Sequence, residues 1–315
     1  MEQFLQQLVN GLSLGALYAL IAVGYTVVYG IVQLINFAHG EIFMMGGFGA
    51  LSTWLVLGAH SGSLSLWFLP LMLIGGIAVS VAVALLTERL AYRPLRNAPR
   101  LAPLITAIGV SIFLQEAIRL LYGYIPGFPD AKLAIPFPQI DVVTGPAVVL
   151  GGVTIQRGAL FTLVALLVCA TTLFFFVNRS RLGRAMQATS QDPDTARLMG
   201  INVDRIIMVA FAIGAAMAAV AGLAHGLRYT NIDFRMGFLA GLKAFTAAVL
   251  GGIGNINGAV LGGLVLGVIE SMASAYIPGQ FGGSAWKDVW AFVLLILVLV
   301  FRPQGLLGAR VVDRA

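Results

Sequence analysis

The stretch NRSRLGRAMQATSQDPDTARLMGINVDRI, residues 178–206, is a polar island between hydrophobic runs of membrane length. Within it, Asp192 is a favoured N-cap residue, and Pro193 fits the first helical position, where its missing N–H costs nothing. Gly200 is placed to end this helix in the left-handed conformation. A helix of about two turns is marginal in water by itself. We therefore expect it to be held either by the rim of its own protein or by a groove on another subunit.

The composition indicates a membrane protein. Of the 315 residues, 59% are hydrophobic and only 10% are charged, against about 25% charged residues in ordinary soluble domains. Repeated apolar runs predict an all-α, polytopic fold with one transmembrane domain over residues 1–315, which contains 178–206 as a loop. The single cysteine excludes an intramolecular disulfide. The net charge of +6 is better explained by membrane orientation than by binding of nucleic acid, because no basic and aromatic residues alternate.

The apolar segments predict about 8–9 transmembrane helices. They are residues 4–32, 34–57, 66–87, 101–121, 159–177, 207–227, 238–250, 258–276 and 286–301. Segment 238–250 is shorter than the roughly 20 residues that a span needs. With the glycine turn GGIGNING (251–258) and the helix after it, it is predicted to form a re-entrant pair. Two spacings, Gly11-x-x-x-Gly15 and Gly263-x-x-x-Gly267, favour close helix contacts.

Basic residues predict the orientation of the chain. Segments 88–100, 178–205 and 302–315 hold four, five and three arginines, and the positive-inside rule places all three in the cytoplasm. The N-terminus is then outside, the C-terminus is cytoplasmic, and the proline- and glycine-rich loop 122–157 is outside. No Lys or Arg precedes Arg89, so the N-terminus lacks the basic region of a signal peptide.

Polar residues at two breaks in the apolar sequence are candidates for a translocation path. Asn36, His39 and Glu41 interrupt the start of the second span, and Asn255 and Asn257 lie in the glycine turn. Polar groups at membrane depth are tolerated only where they are buried in protein or line a cavity. The first break is therefore predicted to be either a broken helix with these side chains turned inward or a simple interfacial turn.

No catalytic pattern is present. Three histidines and one cysteine, without metal-ligand spacing, predict no metal site and no metal enzyme. The glycine turn lacks the Gly-Lys-Ser/Thr ending of a phosphate-binding loop, so no nucleotide cofactor is expected in this chain. The remaining class is a transporter or channel component. Because Glu41, Lys243 and Glu270 are charges within apolar segments, an ion-coupled secondary transporter of small amphipathic solutes is the alternative.

Three stretches resemble one transporter family. They are GYTVVYGIVQLINFAHGE (24–41), LGRAMQATSQD with ARLMGIN (182–202) and KAFTAAVLGGIGNINGAVLGG (243–263). Together they are similar to the branched-chain amino acid ABC permeases of the LivH type, and more distantly to ribose-type permeases. Asp194, Thr195 and Ala196, followed by Gly200, resemble a degenerate form of the Glu-Ala-Ala-x-x-x-Gly signature of ABC importer permeases. The resemblance covers nearly the whole chain and implies the ABC importer permease fold.

The resemblance implies a division of labour between subunits in the bacterial inner membrane. This chain would pair with a homologous second permease of the LivM type, while two cytoplasmic ATPases bind ATP. An extracytoplasmic binding protein would deliver leucine, isoleucine or valine; some relatives carry urea, amides or other amino acids. The helix of the polar island would be the coupling helix in an ATPase groove. Its implied contact residues are Arg184, Asp192, Pro193, Asp194, Thr195, Ala196, Leu198, Met199 and Gly200.

Overall fold

The structure, a computed structural model, describes residues 1–58, 67–96, 98–99, 101–283 and 285–308. Within these residues the chain is mostly helical with a few short strands, which confirms the all-α prediction. The helices are α1 (Glu2–Val32), α2 (His39–Gly58), α3 (Phe68–Thr87), α4 (Leu101–Leu121), α5 (Arg157–Arg179), α6 (Arg181–Gln191), α7 (Pro193–Leu198), α8 (Val203–Tyr229), α9 (Met236–Gly251), α10 (Ile256–Tyr276) and α11 (Lys287–Phe301). The strands are β1 (Ile135–Pro136), β2 (Pro146–Leu150), β3 (Val153–Gln156) and β4 (Asn231–Ile232).

Seven helices of the described chain are long and apolar enough to cross a membrane: α1, α2, α3, α4, α5, α8 and α10. Two apolar helices are shorter, α9 with 16 residues and α11 with 15. At 1.5 Å per residue α9 extends about 24 Å, so it is longer than the half-helix that the sequence predicted. It runs antiparallel to α10, and the two are joined by the glycine turn at Gly252 and Gly254, both with positive φ.

The bundle has two chemically different ends. At the end that we call the arginine end, Arg96 forms salt bridges with Glu88 and Asp204. The C-terminal segment joins the same end, because Asn255 and Leu307 line one cavity together with Asn178 and Gln187 of the polar island. Asn255 Nδ2 also donates a hydrogen bond of 2.9 Å to the Leu307 carbonyl oxygen. Residue 100 and residues 309–315, which contribute three of the predicted basic residues, lie outside the described part of the chain.

The opposite end, which we call the strand end, is built from loop 122–157. There β1 pairs with β4 and β2 pairs with β3, both antiparallel. The N-terminus of α1 lies at this end as well, because the Gln6 side chain accepts a hydrogen bond of 2.7 Å from the Thr154 N–H. The described arginine-rich segments and loop 122–157 therefore lie at opposite ends of the bundle.

Helix α1 is the centre of the bundle and packs closely on α10 through glycines. A Cβ atom added at Gly15 would lie 2.7 Å from the Gly263 carbonyl oxygen, and one added at Gly267 would clash with the Gly15 backbone. Gly262 brings α10 equally close to the Ala247 carbonyl oxygen of α9. The predicted close-contact role of the small-residue spacings is confirmed, because only glycine allows backbones to approach this far.

The polar island forms two helices rather than one. In addition to the predicted α7, residues Arg181–Gln191 form α6, whose N-terminus is capped by Ser180 accepting from the Gly183 N–H at 2.8 Å. Gly183, Met186 and Thr189 are buried on one face of α6. This face holds the island against the body of the protein, and α7 follows it directly.

Candidate functional site

Helix α7 has the cap and the stop that the sequence predicted. Asp192 Oδ1 accepts hydrogen bonds from the backbone N–H groups of Asp194 at 3.0 Å and Thr195 at 3.1 Å. The Thr195 hydroxyl also donates to the Asp192 carboxylate, and together these bonds lower the pKa of Asp192. Gly200 follows the helix with a φ of +83°, a conformation that favours glycine.

The two sides of α7 have different environments. Ala196 is only 3% exposed and belongs to the hydrophobic core, so its side chain is not available to a partner. Leu198 is 87% exposed and Met199 is 78% exposed. The helix ends at Leu198, so Met199 does not share the buried face of Ala196 as helical spacing would suggest. An exposed apolar pair therefore projects from the arginine end.

The remaining residues of the predicted contact surface are exposed around this pair. Arg184 lies on the exposed side of α6, and Asp192, Pro193, Asp194, Thr195 and Gly200 are exposed. Asp194 forms a salt bridge of 2.7 Å with Arg197. The structure thus places all of the predicted contact residues except Ala196 on one accessible surface, which we call the α7 surface.

The break between α1 and α2 is buried in protein. Asn36, His39 and Glu41 are 3%, 1% and 0% exposed, which favours the broken helix over the interfacial turn. Asn36 Oδ1 accepts from the Ala38 N–H at 3.0 Å and from the Tyr92 hydroxyl at 2.7 Å. The His39 ring makes an edge contact with the Tyr25 ring at 4.6 Å between centroids. The Asn36 side chain therefore bridges the break to Tyr92, whereas Asn36 Nδ2 and His39 Nε2 have no hydrogen-bond partner within the described chain.

Glu41 is the most unusual member of this group. Its Oε1 atom accepts hydrogen bonds from Ser111 Oγ at 3.0 Å and from Gln115 Nε2 at 2.7 Å, both on α4. Its Oε2 atom has no hydrogen-bond partner within the described chain, and no basic side chain described here forms a salt bridge with it. An unpaired buried carboxylate costs several kcal/mol, roughly, unless something compensates it. Sequence reasoning did not connect Ser111 and Gln115 with Glu41.

The other two candidate path residues lie elsewhere. Asn255 caps α10 by accepting from the Asn257 and Gly258 N–H groups at 3.0 and 3.3 Å. Asn257 is exposed at the arginine end. The structure therefore does not bring them together with Glu41, which lies in the first turn of α2 and contacts the middle of α4.

A second buried cluster joins four helices. Lys243 Nζ on α9 lies 2.8 Å from Glu270 Oε1 on α10 and 2.5 Å from Asp288 Oδ1 on α11. The Tyr18 hydroxyl on α1 donates to Glu270 Oε2 at 3.0 Å and accepts from Lys243 at 3.1 Å. The sequence showed Lys243 and Glu270 as charges in apolar segments but did not show that they pair. Mutual neutralisation explains how both are tolerated there.

These features define the class of protein. A helical bundle with seven helices of membrane length, buried polar clusters and an exposed capped helix at one end is a multi-pass membrane protein built for transport. In the described residues no three His, Cys, Asp or Glu side chains are grouped to hold a metal ion.

The particular family follows from comparison with known proteins. Residues 7–299 match the sequence profile described as branched-chain amino acid transport system / permease component, and the chain belongs to this family. The chain is 45% identical over 315 residues to the high-affinity branched-chain amino acid transport system permease protein LivH of Escherichia coli K12, covering 99% of this chain and 97% of LivH. It is therefore a permease subunit of the ABC importer class and not itself an enzyme.

A second relative agrees with this assignment, and a solved structure shares the fold. The chain is 47% identical over 320 residues to the high-affinity branched-chain amino acid transport system permease protein BraD of Pseudomonas aeruginosa, covering 99% and 98% of the two chains. Among solved structures, PsaBC from Streptococcus pneumoniae in complex with Fab contains a chain of similar fold. The TM-score is 0.50 with 13% identity, and the match covers 96% of this chain and 92% of that one.

Proposed function

We propose that this chain is the permease subunit of an ATP-driven importer that moves leucine, isoleucine or valine across the bacterial inner membrane. The observation that carries the proposal is the 45% identity over 99% of the chain to a permease named for high-affinity branched-chain amino acid transport. The chain acts as one permease domain, with residues 178–206 as its coupling loop. A homologous second permease of the LivM type completes the membrane part, and an extracytoplasmic binding protein delivers the amino acid.

The α7 surface is the contact with the ATPase. Leu198 and Met199 enter the groove of the ATPase, and Asp194 and Arg184 lie at its edge. Ala196 holds the helix to the permease from the opposite side. ATP binds to the partner ATPases, whose closure moves α7 together with α6 and α8. A ligand can shift a two-state protein only through contacts that differ between the two states. The exposed side of α7 can supply such contacts to the ATPase, while Ala196 anchors the helix to the permease.

The arginine end faces the cytoplasm and the strand end faces outward. Support comes from the concentration of arginines at one end together with the positive-inside rule. Single cysteines at Asn257 and Leu133, both exposed, test this in a Cys169→Ala background. An impermeant maleimide applied to spheroplasts should label the Leu133→Cys variant at once and the Asn257→Cys variant only after permeabilisation. The reverse order would contradict the orientation.

Reconstitution tests the proposed function. Vesicles containing this chain with its second permease and ATPases, and with binding protein on the outside, should accumulate labelled leucine only with hydrolysable ATP at the ATPase side. A non-hydrolysable ATP analogue is the control. Uptake by this chain alone, driven by an ion gradient, would reject the importer and support the ion-coupled secondary transporter.

A further inference from the structure

A cavity of about 660 Å³ lies between the middle of α4 and the first half of α9. This volume is within the roughly 300–1,000 Å³ that small-molecule sites occupy. Its walls are mostly apolar, and they include Phe37, Ile108, Ile112, Phe238 and Leu242. Ile112 and Phe238 are 57% and 53% exposed, so the cavity opens on one side of the bundle. Along the bundle axis, the cavity lies at the level of Ser111, midway along α4.

The polar part of the cavity wall is oriented by Glu41. Ser111 and Gln115 both line the cavity. Both donate to Glu41 Oε1, which lies behind the cavity wall. The carboxyl oxygen of Glu41 accepts these hydrogen bonds, so the Ser111 hydroxyl and the Gln115 side-chain N–H are both used as donors. The Ser111 oxygen keeps its lone pairs as acceptors, and Gln115 keeps its carbonyl oxygen. Two acceptors held in place by Glu41 are the complement of an ammonium group.

A positive charge lies at the rim of the same cavity. Arg235, the residue before α9, lines the cavity and is exposed. Within the described chain its guanidinium forms no salt bridge, and it lies 4.9 Å above the centre of the Phe234 ring. A planar guanidinium binds a carboxylate through two parallel hydrogen bonds. The rim therefore offers the complement of a carboxylate at the strand end of the cavity.

The geometry points to this cavity as the site that an aliphatic α-amino acid occupies while it passes through the membrane part of the transporter. Gln115 and Ser111 bind its ammonium group, Arg235 receives its carboxylate, and Ile108, Ile112 and Phe238 contact its side chain. This inference rests on the proposed function and adds the place in this chain where the substrate binds. A lipid acyl chain or an apolar side chain of the second permease would match the apolar wall but would use neither the acceptors nor the guanidinium.

Photolabelling identifies the occupant. The full permease complex in nanodiscs is irradiated with a leucine analogue that carries a diazirine in its side chain, and the adducts are located by mass spectrometry. Adducts are expected on α4 and α9 around Ile112 and Phe238. They should disappear with excess L-leucine and persist with excess isoamylamine or isovaleric acid, each of which lacks one of the two charges. The inference would be overturned if excess L-leucine did not reduce the labelling. It would also be overturned if a diazirine phospholipid labelled Ile112 in the presence of excess L-leucine.

Variants test the polar and the apolar walls separately. Gln115→Leu removes an acceptor for a charged group and should lower ATP-driven leucine uptake about tenfold or more. Ile112→Trp fills the cavity and should have a similar effect. Leu120→Trp, on the same helix but not lining the cavity, is the matched control and should keep normal uptake. Complex yield and ATP hydrolysis stimulated by the binding protein show whether each variant assembles. If Gln115→Leu does not assemble, Ser111→Ala provides the same measurement with a smaller change.

The outcomes separate this inference from the proposed function. ATP-dependent uptake by the unaltered complex is measured first, and its absence would contradict the proposed function itself. Normal uptake by assembled Gln115→Leu and Ile112→Trp complexes would overturn the cavity assignment alone. Adducts mapped only to helices other than α4 and α9 would do the same.

Discussion

Lys243 Nζ lies 2.8 Å from Glu270 Oε1, and the two side chains are only 6% and 2% exposed. The pair joins α9 to α10 inside the bundle, and Asp288 and Tyr18 extend it to α11 and α1. Each charged side chain in the cluster has a neighbour of opposite charge, and an unpaired charge in the membrane interior would be costly. The cluster therefore holds the last three helices of the bundle to its central helix.

Loss of Lys243 is expected to be more damaging than loss of Glu270. Lys243→Met leaves two carboxylates, Glu270 and Asp288, facing each other without a cation, whereas Glu270→Gln leaves Lys243 paired with Asp288. Breaking a buried pair costs about 3–5 kcal/mol. Thermal unfolding of purified permease in detergent should show the larger loss for Lys243→Met. Lys132→Met, which removes a salt bridge that is 61% exposed on both sides, is the control and should change little.

Close approach of α1 and α10 predicts a strict requirement for glycine at position 15. Gly15→Val places side-chain atoms against the Gly263 carbonyl oxygen and the backbone of Leu264, and overpacking of this kind costs about 1–3 kcal/mol or more. Gly109→Val on α4 is the matched control, because a Cβ atom there meets nothing within 4 Å. Heating in detergent followed by size-exclusion chromatography measures both. Equal survival of the two variants would contradict the packing.

The two sides of α7 predict two different phenotypes. Leu198→Asp changes a side chain that is 87% exposed, so the permease should remain folded and lose the ATPases in a pull-down from detergent extracts. Ala196→Arg buries a charge in the permease's own core, so the polar island should unfold, which limited proteolysis would detect. Leu133→Asp, 79% exposed at the strand end, is the control. Full recovery of ATPases with Leu198→Asp would show that α7 packs only on its own protein.

The cap of α7 should depend on pH. Hydrogen bonds from Thr195 hold the pKa of Asp192 below its usual range, so the carboxylate stabilises α7 above the unfolded pKa of about 3.9. That contribution is lost as the pH falls through the lower folded pKa. Exchange of the Thr195 amide hydrogen should therefore speed up, relative to its intrinsic rate, as the pH is lowered toward 3.

Two substitutions control for the pH effect. Asp192→Asn keeps an acceptor for the Thr195 N–H but cannot titrate. In this variant the protection of the Thr195 amide hydrogen against exchange should therefore not vary with pH in this way. Asp192→Ala removes the acceptor, and its amide should exchange fast at every pH. The same loss of protection at low pH in Asp192→Asn would assign the effect to another group.

Local signals in the sequence were sufficient for the elements themselves. The span predicted at 101–121 is α4, Leu101–Leu121, and Asp192 caps α7 as its residue type suggested. The paired Gly-x-x-x-Gly spacings packed as expected. Each of these follows from residues within a few positions of one another: an apolar run, an N-cap followed by proline, or two glycines on one helix face. Helix α6, which was not predicted, also has a local signal, because Ser180 is a favoured N-cap residue directly before it.

Tertiary structure alone decided which polar side chains meet and which faces are buried. Glu41 and Ser111 are 70 positions apart, and Lys243 and Glu270 are 27 apart, so no local spacing connects them. Nearly uniform apolarity also hides which face of each helix meets protein and which meets lipid, since both environments are apolar. Ala196 was likewise predicted to contact the ATPase, because its sequence position does not show which face of α7 is buried. In the structure it packs on the core of the permease itself. The elements were thus determined by local chemistry, and the candidate substrate cavity by long-range packing of α2, α4 and α9.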